Sequence, residues 1–340
     1  MLSPQANTSY DALRAHLLQA DERAVYRALP RQVADALSLT TRLTLETLVE
    51  ATFRGDAVLH WEIHCPLCGR CAEASDWLRH ARYDHTCQAC GGTFTIHLDS
   101  EVQVTFSPHP SLRILGPAAD DPAFQQAMRD RFPPTTVHEL MTVQRFRDWA
   151  QNELLPTGEY LEVRRIAIWF SDLAGSTALY ARSGDPFAYH LIREHFALVF
   201  AVINQSEGAV VKTIGDGIMA VFAASEHALR AALGAHQSLD GLNRQHALPD
   251  DRRLALKIGI HSGPSIVVKL NDRLDYFGTT VNVAARVSNL ARRIEVVFTE
   301  EVYTEAGVQH IAASHVVEPF QSDIRGLDQP YVVYRLMPRY

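Results

Sequence analysis

Apolar residues recur three to four positions apart over residues 10–29, where Leu13, Leu17, Leu18, Val25 and Leu29 predict helix before Pro30 interrupts. Residues 31–37 read as a short helix and Ser38-Leu39-Thr40 as a turn. Thr41 or Thr44 can cap a helix through Val49 to about Arg54, and Gly55-Asp56 ends it. Residues 57–63 then read as a strand, and 93–98 and 102–106 as two alternating strands. The three would form one small sheet. Prolines 108, 110, 117, 122, 133 and 134 punctuate a connector, with a short helix expected over 122–131 and another over 137–154. The latter carries Leu140, Val143, Phe146 and Trp149, which either pair with a second copy of the helix and pass a signal or pack on the core.

Beyond residue 160 the two periods alternate. Ile166-Ala167-Ile168-Trp169-Phe170 is a short apolar strand. Asp185-Pro186 start a helix and Gly208 stops it, with Phe187, Leu191, His195, Val199 and Val202 or Ile203 on its apolar side. Residues 210–222 predict a β-hairpin around Gly215-Asp216-Gly217. A helix over 224–242, a strand over 254–261, a helix opened by Gly278-Thr279-Thr280 and strands over 295–299 and 331–336 follow. Asn282 and Arg286 lie four apart, on one helix face. The β-α-β-β-α-β order predicts an α+β fold with a ferredoxin-like core and additions.

A chain of 340 residues exceeds one ordinary core, so more than one domain is expected. No apolar run approaches a membrane span, and Met1-Leu2-Ser3-Pro4 lacks the basic and apolar regions of a signal peptide, so the expected compartment is the cytoplasm. All five cysteines fall between residues 65 and 90, a local device and not a disulfide framework. Cys65-Pro66-Leu67-Cys68 and Cys87-Gln88-Ala89-Cys90 are two CxxC pairs 18 residues apart. Each can point two thiolates at one ion, and together they predict one structural Zn²⁺ per chain. Cys71, His64, His80 and His85 are read as bystanders. Three helices followed by a strand resemble a winged helix, which suggests DNA binding. However, residues 21–101 hold 8 arginines, no lysine and 12 acidic residues, within a chain of net charge −7, and that balance argues against a nucleic-acid partner.

Two positions resist a purely structural reading. Lys212 sits inside an apolar strand and Asp216 at the tip of the hairpin. Asp172 follows the strand that ends at Phe170, and Ala174-Gly175-Ser176-Thr177 opens a helix after it. A carboxylate just past a strand end, followed by a small-residue loop, suits a metal–phosphate group. Two such aspartates on neighbouring strands can bind two metal ions side by side.

Phe170-Ser171-Asp172-Leu173-Ala174-Gly175-Ser176-Thr177, Lys212-Thr213-Ile214-Gly215-Asp216 and Asp275-Tyr276-Phe277-Gly278-Thr279-Thr280-Val281-Asn282-Val283-Ala284-Ala285-Arg286 resemble, in that order, the catalytic domain of class III nucleotidyl cyclases. The resemblance covers roughly residues 160–340. It implies an adenylyl cyclase that converts ATP to 3′,5′-cyclic AMP and pyrophosphate at sites shared by a homodimer. It also implies two Mg²⁺ or Mn²⁺ ions per site on Asp172, Asp216 and the Leu173 carbonyl, with phosphates held by Gly175, Ser176 and Thr177. Asn282 would orient the ribose. Arg286 would stabilise charge on the α-phosphate, a donor whose loss costs on the order of 3 kcal/mol. Arg325 stands where the family usually has a lysine for the terminal phosphates.

Lys212 and Asp275 match the adenylyl type. Adenine offers an N6 donor to Asp275 and an N1 acceptor to Lys212, whereas guanine reverses both edges. The expected organisation is a helical, winged-helix-like region over 1–56, a zinc ribbon with a small sheet over 57–107, a connector over 108–160 and the catalytic domain over 161–340, with the N-terminal part regulatory. Two alternatives are a cyclase for GTP or a pyrimidine nucleotide, and a DNA-binding regulator that dimerises through an inactive cyclase fold.

Overall fold

The helical spacing at the N-terminus folds as α1 (Pro4–Gln19), α2 (Glu22–Val25), α3 (Pro30–Leu37) and α4 (Thr41–Phe53). The computed structural model describes residues 4–75, 84–150, 160–176, 179–180, 184–270, 273–324 and 330–339. By contact the chain forms two units, one of residues 1–163 with 268–274, the other of 164–267 with 275–340. Among the described residues, no helix is long and apolar enough to cross a membrane.

In the first unit Leu13, Leu17, Val25 and Leu29 are buried as their spacing requires, while Leu18 faces out. Pro30 does not merely interrupt. It occupies the first turn of α3, where its missing N–H has no partner to lose. The cap of α4 is Thr40, one residue before Thr41 and four before Thr44, and its hydroxyl accepts from the Leu43 amide at 3.2 Å.

β1 (Ala57–His64) lies between β2 (Cys71–Ser75) and β5 (Val102–Pro108), all antiparallel. The expected sheet of 57–63, 93–98 and 102–106 is therefore corrected. The third strand is Cys71–Ser75, which returns from the first cysteine pair. The Cys87–Cys90 turn instead folds β4 (Thr93–Thr95) back onto β3 (Asp84–Thr86) as a separate ribbon. Ile96 and Leu98 still reach the core as buried side chains.

α5 (Pro122–Arg131) forms as expected, with Asp121 capping the amides of Ala123 and Phe124. The helix expected over 137–154 is broken into α6 (Val137–Leu140) and α7 (Gln144–Ala150), and 151–154 lie outside the described residues. The break has a cause. Arg42 of α4 donates to the Thr142 carbonyl at 3.0 Å, and the Thr142 hydroxyl donates to the Glu139 carbonyl at 2.8 Å. Leu140, Val143 and Phe146 are buried, with Phe146 6.1 Å from Trp61 and 5.9 Å from Trp149 by ring centroid. These positions pack within their own unit and are not free to pair with a copy.

The second unit is built on β6 (Tyr160–Leu173), α8 (Asp185–Gln205), β7 (Gly208–Ile214), β8 (Gly217–Phe222), α9 (Ser225–Gln245) and β9 (Leu256–Leu270). β10 (Arg273–Phe277), α10 (Thr279–Ser288), β11 (Val296–Thr299), α11 (Glu300–Tyr303), α12 (Ala306–Ala312), β12 (Val316–Ser322) and β13 (Tyr331–Met337) complete it. The sheet order is β12-β13-β11-β9-β6-β8-β7, with β10 paired to β9. Within it β9-β6-β8-β7 is the ferredoxin-like order, fourth strand beside first, then third, then second. The α+β expectation holds.

Strand alternation sends side chains to both faces. Val296 and Phe298 join the core with Leu191 and Val199 of α8 and Leu239 of α9, whereas Val297 packs with Val283 and Val287 of α10. The sheet is thus covered on both faces, and its strand ends and connecting turns are left to present chemistry.

Candidate active site

The β6–β8 register pairs Ser171 with Ile218. One step further sets Asp172 opposite Gly217, beside Asp216 in the β7–β8 turn. That turn needs its glycines. Gly215 has φ +62°, and a Cβ on Gly217 would lie 2.4 Å from the Ser171 carbonyl oxygen. The hairpin tip is therefore drawn against the end of β6, and the two aspartates come to the same edge.

Asp172 is partly exposed, and Lys257 Nζ of β9 lies 3.5 Å from its Oδ2. Asp216 Oδ2 is buried with no hydrogen-bond partner among the described residues. A buried carboxylate oxygen without a donor is costly, and hard oxygen donors at a shared edge are what a divalent cation takes. The residues present therefore fit such ions. His195 of α8 is buried near Asp216. Burial pushes its pKa down to about 4, against the pull of the Asp216 carboxylate, so the ring is neutral at pH 7.

The Leu173 side chain is in the core. Gly175 turns the chain with φ +83°, and its carbonyl accepts from the Leu179 amide at 3.0 Å as a helical turn opens at Ser176. Thr177 and Arg325 lie outside the described residues.

Lys212 of β7 and Asp275 of β10 form an ion pair through Nζ and Oδ2. The other Asp275 oxygen accepts from the Tyr276 amide at 2.8 Å. Lys212 Nζ also lies 5.9 Å from the Phe277 ring centroid. Asp275 is buried and Lys212 is 37% exposed at its side chain, so the pair opens to solvent on the lysine side. Asn282 is exposed and Arg286 half-buried on α10, and neither side chain has a hydrogen-bond partner among the described residues. The sequence reading gives Lys257 no part, and it quotes Phe277 within a motif but not as a neighbour of Lys212. Lys257 left the same trace as Lys212, a lysine inside an otherwise apolar strand.

The four sulfurs of Cys65, Cys68, Cys87 and Cys90 lie within 4.8 Å of one another. The Cys65–Cys90 and Cys68–Cys87 separations are both 3.8 Å. A tetrahedron with metal–sulfur bonds of about 2.3 Å has edges of about 3.8 Å. Each pair turns as a knuckle, with Gly69 and Gly91 amides donating to the Cys65 and Cys87 carbonyls at 2.8 Å. The Cys90 amide, aimed at Cys87, draws that thiol down to about 7. Cys71 stands apart, grouped with Glu62 and His64. That group is no open ligand set. Glu62 is already bonded by His64, Arg129 and Arg27, which hold its carboxyl down at about 2 against its burial, and it accepts from the Thr105 hydroxyl at 3.0 Å.

Residues 159–329 match the family described as the adenylate and guanylate cyclase catalytic domain, and residues 3–137 match a separate family of unknown function, DUF5939. The chain belongs to the adenylate and guanylate cyclase catalytic domain family, class III. It is 26% identical over 185 residues to an adenylate cyclase of Anabaena cylindrica, covering 51% of this chain and 37% of that one. It is 36% identical over 143 residues to the speract receptor of Strongylocentrotus purpuratus, covering 38% and 13%. A solved adenylate/guanylate cyclase/hydrolase from Silicibacter pomeroyi aligns over 53% of this chain and all of that one, with 27% identity and TM-score 0.46. The chain thus spans little more than a third of its Anabaena relative and less of the receptor.

Proposed function

We propose that this chain is an adenylyl cyclase that converts ATP to 3′,5′-cyclic AMP and pyrophosphate in the cytoplasm, at sites shared by two copies, under an N-terminal region that regulates it. The observation that carries the choice of ATP is the Lys212–Asp275 pair. A cation and a carboxylate held side by side match the N1 acceptor and N6 donor of adenine, and leave both groups of guanine facing their own kind. Asn282 would orient the ribose, and Arg286 would meet the charge that grows on the α-phosphate as the 3′-oxygen displaces pyrophosphate and gives up its proton. Gly175, Ser176, Thr177 and Arg325 would hold the remaining phosphates. Asp172, Asp216 and the Leu173 carbonyl would hold divalent cations, which when bound lower the pKa of the 3′-hydroxyl and screen the triphosphate.

The test is incubation of the purified protein with each nucleoside triphosphate and Mn²⁺, with product mass as the readout. Cyclic AMP should dominate. Lys212→Glu combined with Asp275→Cys should lower ATP use and raise relative GTP use by at least about tenfold, since mismatched polar groups are strongly rejected. An unchanged ATP:GTP ratio would show that the pair does not contact the base.

The four-sulfur cluster would carry one zinc per chain and contribute folding free energy to the N-terminal unit. Elemental analysis of protein purified without chelators should find zinc near one equivalent, and Cys71→Ser should retain it. Zinc-free protein would rule the assignment out.

A further inference from the structure

We propose that Arg147 is a positioning residue for base recognition, acting through the carbonyl of Leu274 on Asp275. The proposal rests on the reading of Asp275 given above. By contact, residues 268–274 belong to the N-terminal unit, while Asp275 belongs to the other. The last residue on the N-terminal side, Leu274, is buried, and its carbonyl oxygen accepts from Arg147 Nη2 at 2.7 Å. Arg147 is itself buried, 4% exposed, an uncommon place for a guanidinium on a short helix.

α7, which carries it, is fixed on both sides. Phe146 packs on Trp61 of β1, and Trp149 meets Phe53 of α4 edge-on at 5.3 Å. The donor is therefore held by a packed scaffold and is not a free surface arm.

The peptide bond gives this contact its reach. The Leu274 carbonyl, the Asp275 amide and both Cα atoms share one rigid plane. Holding the oxygen sets the tilt of that plane, and the tilt sets the direction in which the Asp275 side chain leaves the strand. The same side chain is bonded to the Tyr276 amide and to Lys212, so a small rotation would loosen both. A buried bond from a charged donor is stronger than a neutral one, which suits a clamp that must hold one orientation.

The test replaces Arg147 by Met, which keeps the bulk and removes the donor. Deuterium uptake should rise in the peptide that contains Asp275 and Tyr276. The ratio of kcat/KM for ATP over GTP should fall about tenfold, on the scale of one good polar contact to a base. Arg147→Lys should restore most of the ratio. In an Asp275→Ala background the Met substitution should change the ratio no further, because residues acting in series are not additive. If the Met protein does not fold, Arg147→Gln, too short to reach the carbonyl, is read with the same expectations.

Unchanged uptake, an equal loss for both nucleotides, or full additivity with Asp275→Ala would overturn the proposal. A wild-type protein that forms no cyclic nucleotide would defeat the functional reading instead, and the uptake measurement would then decide the role of Arg147 by itself.

Discussion

Asp172→Ala protein should form cyclic nucleotide at least about a thousand-fold more slowly than wild type, in Mg²⁺ and in Mn²⁺ alike, because in the proposed reaction the cations it would hold act on the reacting phosphate. Its side chain is 50% exposed, and among the described residues its charged contact is a 3.5 Å pair with Lys257. A surface pair of that kind contributes about 0–1 kcal/mol, so the melting temperature should scarcely move. Asp216→Asn should be equally inactive for a related reason. The Asp216 oxygen that lacks a partner gains nothing structural from its charge, and its amide counterpart would carry no charge to a cation. Rates measured beside thermal unfolding separate chemistry from folding. Full activity in the Asp172→Ala protein would sink the metal assignment.

Two inactive variants should rescue each other. In the family this chain resembles, the metal-binding aspartates of one copy face the base- and ribose-binding residues of the other. This chain carries both sets, so a twofold pair would form two equivalent sites. Lys212 and Asp216 are four residues apart on one hairpin, roughly 13 Å along an extended strand, and need not serve the same nucleotide. Asp172→Ala and Lys212→Ala should each be nearly inactive as homodimers. In a mixed dimer one site keeps an intact Asp172 and an intact partner lysine, while the other loses both. Co-expression with two tags, double purification and assay should recover up to about half the wild-type activity per heterodimer. A stable heterodimer with no activity would reject the shared site.

That Asp172 and Asp216 reach one edge of the sheet is legible because the signals are local. Asp172 follows an apolar strand, and Gly215 and Gly217 announce the turn that carries Asp216. The cysteine pairs were legible from spacing alone. What was not legible depends on distant partners. The break between α6 and α7 is made by Arg42, a hundred residues away in sequence from Thr142. β10 hides its strand character because Arg273-Leu274-Asp275-Tyr276-Phe277 carries two charges in five residues, one answered by Lys212 63 positions earlier. Pro319 hides β12 from a strand pattern, yet β12 is an edge strand, where a missing amide donor is tolerated. The resemblance marks Lys212 and Asp275 each as a base contact, but that they pair with each other is seen only in the fold, and no periodicity in the chain reveals it.

The contact division of this chain is not a division of its sequence. The backbone leaves the N-terminal unit after residue 163, comes back for 268–274, and leaves again at Asp275. The two units are laced, not strung like beads. A single cleavage near residue 160 would release a fragment that still carries Leu274 but has lost Arg147. A recombination event at that one junction would replace Arg147, the donor to the Leu274 carbonyl, while keeping its acceptor.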